Sequence, residues 1–261
     1  LSSHNVACLL VDSYFATTDY LDILRQICKV AYLDDLQAFD CPASLVINYD
    51  FCVDESFYTK ADCVLTGCAY TPLREQFADQ PYHLWEQVKD LFLSPGGTDP
   101  FQIAGSMLKR LCASDDWKDV SFHVLTGPMH VHRAELAVMA GKDSRIVLHE
   151  QVSDMAALMS TCDLAFSAGG TTLYELCAVG VPSVSFSMAD NQLPGVKAFD
   201  DANLIPWAGD IRDNEIFYDD AVEKLTALLK NPDARKKQSD RMRMAIDGAG
   251  ARRIADAILA K

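Results

Sequence analysis

Two polar clusters, each following a short apolar run, are the residues of this sequence best suited to chemistry. The first is Ser167-Ala-Gly-Gly-Thr-Thr172 with Glu175, and the second is Ala189-Asp-Asn-Gln192. An apolar run that stops at small residues and is followed by apolar positions at helical spacing predicts a strand, a tight turn and a helix. The first turn of such a helix has unpaired backbone N–H groups and the positive end of the helix dipole. It is therefore a natural site for a phosphate or diphosphate.

A purely structural interpretation of the first cluster stays open. Thr172 and Glu175 have the spacing of a capping box, in which the two side chains satisfy N–H groups of their own helix. Capping does not require the paired glycines Gly169 and Gly170, and it does not explain the second cluster after the next predicted strand. Because the carboxyl ends of parallel strands meet at one crevice, we predict that both clusters face one anionic ligand.

The same residues resemble a known family. The stretch from Asp154-Met-Ala156 through the two clusters resembles the donor-binding half of GT-B enzymes of the MurG type. It is similar in particular to PseG, the UDP-sugar hydrolase of pseudaminic acid biosynthesis, and to its spore-coat polysaccharide relatives. Further matches are Gly96-Gly-Thr-Asp99, Thr126-Gly-Pro128 and Asp247-Gly-Ala-Gly-Ala-Arg252. The resemblance implies an α/β, GT-B-like fold of two Rossmann-type domains with parallel sheets.

The resemblance also implies a UDP-sugar substrate and gives the residues of the first cluster their roles. Gly169, Gly170 and Thr171 would hold the diphosphate, with Thr172 close by. Glu175 would accept hydrogen bonds from both hydroxyls of the ribose, which suits an ionised carboxylate because it offers about four lone-pair sites.

Three other segments complete the donor site that the resemblance implies. The backbone at Val152 would read the edge of the uracil, while Asn191 and Gln192 would meet the sugar. Gly127 would line the nucleotide crevice, although Gly127-Pro128 is also typical of an ordinary loop.

Candidate catalytic residues lie in the first domain. Tyr14 matches a tyrosine that the hydrolase family places in its active site, although a buried tyrosine is more often part of the core. Asp34 and Asp35 follow a predicted strand and could position water, or could serve as caps. Family members open with a Gly-x-Gly-His-x-x-Arg loop whose histidine is the expected general base, and no such motif occurs in these residues. We therefore expect the first domain to be truncated or naturally split, and this chain to bind UDP but turn over UDP-sugars poorly.

Composition limits the partners. A net charge of −14 disfavours a nucleic-acid or anionic-membrane surface. No apolar run approaches the roughly 20 residues that span a bilayer, which predicts no membrane insertion, and no signal peptide is visible. The nine cysteines show no C-x-x-C pair, which favours a reducing cytoplasm. The six histidines form no metal set, so we predict neither a metal nor another cofactor.

The alternation of strands and helices predicts how the 261 residues are divided. We predict the remainder of an N-terminal domain over 1–80, a donor-binding domain over 86–246, and a terminal helix over 247–261 that packs back on the first domain. The oligomeric state is left open, since a preceding segment or a partner chain could complete the first domain. Asp99-Pro100 predicts a helix N-cap and first turn. Beyond Ile205 the pattern predicts helices alone.

We therefore predict hydrolysis of a UDP-linked amino sugar at its anomeric carbon, with release of UDP and without a metal. Two alternatives stay open. One is a MurG-type glycosyltransferase, which would use the same donor site with a sugar hydroxyl in place of water. The other is a non-catalytic module that binds a nucleotide sugar.

Overall fold

The computed structural model describes residues 6–51, 53–81, 84, 86–213 and 216–260. The chain divides into two compact units, one formed by Leu1–Glu75 with Gly248–Lys261 and the other by Gln76–Asp247. Eight cysteines are free thiols, while Cys52 lies outside the described residues. Among the helices described, none has both the length and the apolar character that crossing a membrane requires.

The first unit is built on a parallel sheet whose described strands run in the order β1-β2-β3-β4. The strands are β1 (Cys8–Asp12), β2 (Lys29–Leu33), β3 (Leu45–Asn48) and β4 (Val64–Thr66). Helix α1 (Thr18–Arg25) begins where the Thr17 side chain accepts the Tyr20 N–H, so Thr17 is its N-cap.

Both faces of this sheet are covered by apolar side chains. Leu21 and Leu24 of α1 pack with Val30 and Val46 on one face. The terminal helix of the chain, α9 (Gly250–Leu259), covers the other face. Its Ile254 packs against that face. The helix begins at a glycine for a steric reason, since a Cβ at Gly250 would collide with the backbone of Thr71.

The second unit contains a parallel sheet whose described strands run in the order β10-β9-β8-β5-β6-β7. The strands are β5 (Asp90–Ser94), β6 (Ser121–Leu125), β7 (Ile146–His149), β8 (Leu164–Ala168), β9 (Ser183–Ser187) and β10 (Trp207–Asp210). The helices are α2 (Ile103–Cys112), α3 (Arg133–Ala140), α4 (Met155–Ser160), α5 (Thr171–Val179), α6 (Leu193–Asp201), α7 (Phe217–Lys230) and α8 (Pro232–Ala245). The predicted α/β class with two parallel sheets is confirmed.

Strand order places a crevice at the centre of this second sheet. The chain runs outward from β5 through β6 to β7, returns to form β8 on the other side of β5, and continues outward to β10. The connections therefore diverge between β5 and β8, and the carboxyl ends of these two strands form a topological switch point. Ligands of open α/β sheets bind at such points.

The prediction that the chain is purely helical beyond Ile205 is wrong. Trp207–Asp210 form an edge strand beside β9, with an irregular register. Ala208 and Asp210 are buried while their neighbours are only half-buried, which is the alternation of a strand. Four residues are too few for this alternation to stand out in the sequence.

Candidate functional site

The turn after β8 brings an open backbone to the switch point. At Gly169 a Cβ would lie 2.6 Å from Val196 Cγ1 and 3.1 Å from Gln192 Cβ, so only glycine fits there. Gly170 is different, because it is exposed and a Cβ would meet no atom within 4 Å. Its φ of +144° is a conformation that side chains disfavour. Gly169 thus serves packing, whereas Gly170 leaves its backbone accessible.

The capping-box interpretation of the first cluster is wrong. Helix α5 begins at Thr171, its N-cap is Gly170, and no side chain among the described residues caps it. Thr172 already lies within the helix, one position beyond Thr171, so it does not occupy the N-cap that a capping box requires. Leu173 donates its N–H to the Gly170 carbonyl at 3.1 Å, whereas the N–H groups of Thr171 and Thr172 at the start of α5 keep their capacity to bind an anion.

Helix α2 begins on the other side of the switch point, and a side chain already occupies its N-terminus. The fully buried carboxylate of Asp99 accepts the N–H groups of Ile103 at 2.8 Å and Ala104 at 3.0 Å. The predicted N-cap and first turn at Asp99-Pro100 are wrong in position, because left-handed backbone at Asp99 and Gln102 delays the helix to Ile103. Of these two helix termini, α2 already holds a carboxylate and α5 does not.

The loop after β9 brings the second polar cluster beside the first. The side chain of Gln192 folds back, and its Oε1 accepts the Met188 N–H at 2.9 Å. Its Cβ is the atom that comes close to Gly169. Asn191 is exposed in the same short turn. The structure thus brings Asn191 and Gln192 together with the α5 terminus.

Gly127 and Val152 occupy the same edge of the sheet. A Cβ at Gly127, in the loop after β6, would lie 3.9 Å from the carbonyl oxygen of Gly97 in the loop after β5. The two loops therefore adjoin next to the switch point. Val152 is half-buried in the loop after β7, the outermost strand, just ahead of α4.

No protein-family model matches the chain. The spore coat polysaccharide biosynthesis protein SpsG of Bacillus subtilis is 27% identical over 180 residues, which cover 69% of this chain and 52% of SpsG. The UDP-N-acetylglucosamine--N-acetylmuramyl-(pentapeptide) pyrophosphoryl-undecaprenol N-acetylglucosamine transferase of Phocaeicola vulgatus is 27% identical over 199 residues, 71% of this chain and 51% of that one.

A solved structure agrees with these relatives. The crystal structure of MurG from Acinetobacter baumannii matches with a TM-score of 0.62 and 16% identity, over 98% of this chain and 75% of that chain. The predicted resemblance to SpsG-like GT-B proteins is confirmed. The chain spans about half the length of the two curated relatives, 52% and 51%.

Two of the predicted catalytic residues contact each other at the carboxyl edge of the first unit's sheet. Tyr14 is 70% exposed, so the alternative that it belongs to the core is wrong. Its hydroxyl donates to Asp35 Oδ2 at 2.8 Å. This hydrogen bond to a carboxylate is the main cause that raises the pKa of Tyr14. The pair presents a phenol and a carboxylate to solvent, and its catalytic role stays a prediction.

Asp34 lies beneath this pair in a buried network. Its Oδ1 accepts the N–H groups of Leu36 and Gln37, both at 3.0 Å, and its Oδ2 accepts the Tyr58 hydroxyl at 2.8 Å. Asn48 donates in turn to the Tyr58 oxygen at 2.8 Å. Asp34 thus holds the turn after β2 through Oδ1 and joins that turn to Tyr58 through Oδ2. Its predicted part in positioning water also stays a prediction.

A further residue beside the switch point, His130, is apparent only in the structure. His130 is buried in the loop after β6, with its Nε2 3.5 Å from Asp99 Oδ2. The sequence alone assigns no role to His130 and His132, because a His-x-His in a predicted loop resembles no metal set. Only the approach of two loops distant in sequence reveals the contact.

The buried His130 and the half-buried His149 predict how the free energy of unfolding depends on pH. Burial is the main cause that lowers the pKa of His130 and of His149 below the ordinary 6.5. The unfolded chain therefore binds protons at a higher pH than the native chain, and stability rises with pH in that window. We expect the urea midpoint of unfolding to fall as the pH drops from about 7.5 through 6.5 towards the native pKa values. His149→Gln should weaken this dependence, and an unchanged midpoint over that range would contradict the assignment.

Proposed function

We propose that the chain binds a UDP-sugar at the switch point of its second unit and provides the donor site of an enzyme that hydrolyses this sugar nucleotide. The observation that carries the proposal is the contrast between two helix termini. The start of α5 at Gly170 has no side-chain cap, whereas the start of α2 is occupied by Asp99. The similarity to SpsG supports polysaccharide biosynthesis as the context.

In the proposed complex Gly169, Gly170 and Thr171 hold the diphosphate. Gly170 and Thr171 do so through their backbone, while Gly169 shapes the turn, since its own N–H donates to the Phe186 carbonyl at 2.8 Å. Water attacks the anomeric carbon of the sugar and gives up a proton to a carboxylate of the Asp34–Asp35 pair. The bond from that carbon to the diphosphate oxygen breaks, and its electron pair leaves with UDP. Negative charge grows on the diphosphate in this step, so the N–H groups and dipole of α5 stabilise the transition state more than the ground state. Glu175 accepts the ribose hydroxyls, and Asn191 and Gln192 contact the sugar.

The remaining assignments complete this proposal. Val152 is proposed to read the uracil through its backbone, with Gly127 lining the nucleotide crevice. We propose that the attacking water is positioned by Tyr14, Asp34 and Asp35. We propose an amino sugar of the pseudaminic acid or spore-coat type as the group released, and a cytoplasmic location.

A glycosyltransferase is the second candidate, because one relative is named as an N-acetylglucosamine transferase that uses UDP-N-acetylglucosamine. The same donor site would serve it, with a sugar hydroxyl replacing water as the nucleophile. Incubation with UDP-sugars separates the two reactions, because hydrolysis releases UDP without an acceptor. Release of UDP only when an acceptor sugar is added would support transfer.

Titration with UDP tests the donor site directly. We expect UDP to raise the melting temperature, since a ligand at about 100 times its Kd adds about 2.7 kcal/mol to the stability of a native state that alone binds it. EDTA should leave this shift unchanged, because backbone N–H groups and the helix dipole are proposed to balance the diphosphate charge. CDP and GDP serve as controls for the base. A shift that requires magnesium would contradict the metal-free site.

A further inference from the structure

A buried histidine and aspartate join two loops beside the switch point. Asp99 belongs to the loop after β5 and His130 to the loop after β6, and both side chains are fully enclosed. The loop residues next to them also bond to each other, since the Val131 N–H donates to the Thr98 carbonyl at 3.1 Å. The His130 N–H donates to the Gly127 carbonyl at 3.0 Å, which ties the second loop to itself.

The hydrogen bond at Nδ1 assigns the tautomer of the His130 ring. Its Nδ1 accepts the His132 N–H at 3.2 Å, so in the neutral ring the proton lies on Nε2. Nε2 faces Asp99 Oδ2 at 3.5 Å and makes no hydrogen bond within the described residues. The protonated Nε2 thus lies beside a buried carboxylate without a hydrogen bond to it, and the contact is electrostatic.

Packing alone does not account for a histidine at this position. Burying a polar ring costs free energy unless its polar atoms are compensated, and a phenyl ring would fill much the same volume without that cost. Asp99 also caps α2 through Ile103 and Ala104 without help from His130. What the histidine adds is a link between the loop after β5 and the loop after β6.

We propose that His130 is a positioning residue for the donor site, which acts through Asp99 to hold loop 96–99 and loop 126–128 at the separation that receives a nucleoside diphosphate. The inference rests on the proposed function of the same crevice. Gly97 and Gly127 mark where the two loops adjoin, next to the α5 terminus across the switch point. Loops fixed before binding lose less conformational freedom when the ligand arrives, so the link strengthens nucleotide binding.

Three variants test this link. His130→Phe keeps the ring and removes the donor, His130→Gln keeps an N–H donor near the position of Nε2, and His132→Phe makes the same change two residues away. Each is assayed for UDP affinity by calorimetry, for melting temperature, and for amide hydrogen exchange at Val131. We expect His130→Phe to raise the Kd for UDP about fivefold and to speed exchange at Val131, in line with loss of one polar contact. His130→Gln should recover most of the affinity, and His132→Phe should match the unmodified chain.

The outcomes separate this inference from the proposed function. Unchanged UDP affinity in His130→Phe overturns the positioning role, as does a loss of affinity that His130→Gln fails to recover. If the unmodified chain binds no UDP, the proposed function fails, and exchange at Val131 then decides whether His130 links the loops. Equal exchange in the unmodified chain and in His130→Phe overturns that link. If His130→Phe does not fold, the comparison of His130→Gln with His132→Phe decides, and a Gln variant weaker than the control by fivefold or more refutes the proposal.

Discussion

Gly170→Val is expected to reduce UDP affinity at least about 100-fold, because the branched side chain would stand where the diphosphate meets the start of α5. A Cβ at Gly170 meets no protein atom within 4 Å, so the new side chain would occupy space proposed for the ligand. Losing two charge-assisted hydrogen bonds costs about 3 kcal/mol or more, which corresponds to the 100-fold loss. Calorimetric titration with UDP measures the effect.

The chain offers a matched control for this substitution. Gly67 has a φ of +90° and ψ of 164°, Gly170 has a φ of +144° and ψ of −166°, and a Cβ would meet nothing within 4 Å at either. Gly67 precedes the short 3-10 turn Cys68–Tyr70 and Gly170 precedes α5, and valine would strain the backbone at both glycines by about 1–3 kcal/mol. Gly67→Val and Gly170→Val should therefore lower the melting temperature comparably, with only the second losing UDP. Equal UDP affinity in the two variants would show that the diphosphate does not lie at Gly170.

Elements with strong local signals could be predicted from the sequence. The apolar run and helical spacing around the two glycines predict a strand, a tight turn and a helix, and the structure has the strand at Leu164–Ala168 and the helix at Thr171–Val179. Periodicity identified these elements because both are buried and regular. It could not decide whether Thr172 caps the helix, since a shift of one residue separates the two interpretations.

Features that depend on distant contacts could not be predicted. The left-handed backbone at Asp99 and the approach of His130 arise from packing between two loops about thirty residues apart in the chain. Neither residue is unusual in its local sequence. The same holds for Tyr14, whose exposure and bond to Asp35 follow from the pairing of β1 with β2.

The candidate site in the second unit depends both on local sequence pattern and on contacts between distant segments. Local pattern identified the glycine turn at Gly169 and Gly170, and topology places that turn at the one point of the described sheet where the connections diverge. Because Asp99 already accepts N–H groups at the start of α2, the asymmetry between the two helices favours α5 as the proposed place for a diphosphate. That selection needs side-chain geometry and was beyond the sequence.

Glu175→Ala is expected to raise the Kd for UDP by about 10- to 100-fold, because two charge-assisted hydrogen bonds to the ribose would be lost. Glu175 is half-buried one turn into α5, four residues after Thr171 and on the same side of the helix. A carboxylate there lies one turn from the proposed diphosphate. Glu175→Gln should give an intermediate Kd, since an amide oxygen accepts hydrogen bonds without the charge.

The ligand supplies the decisive control, since 2′-deoxy-UDP lacks one of the two hydroxyls that Glu175 is proposed to bind. The unmodified chain should bind 2′-deoxy-UDP about tenfold more weakly than UDP, while Glu175→Ala should bind the two nucleotides equally. Such a cycle isolates the contact between one carboxylate and one hydroxyl, so a general loss of stability in the variant cannot imitate it. If Glu175→Ala still prefers UDP as strongly as the unmodified chain does, the ribose is read by another residue, and the role given to Glu175 is wrong.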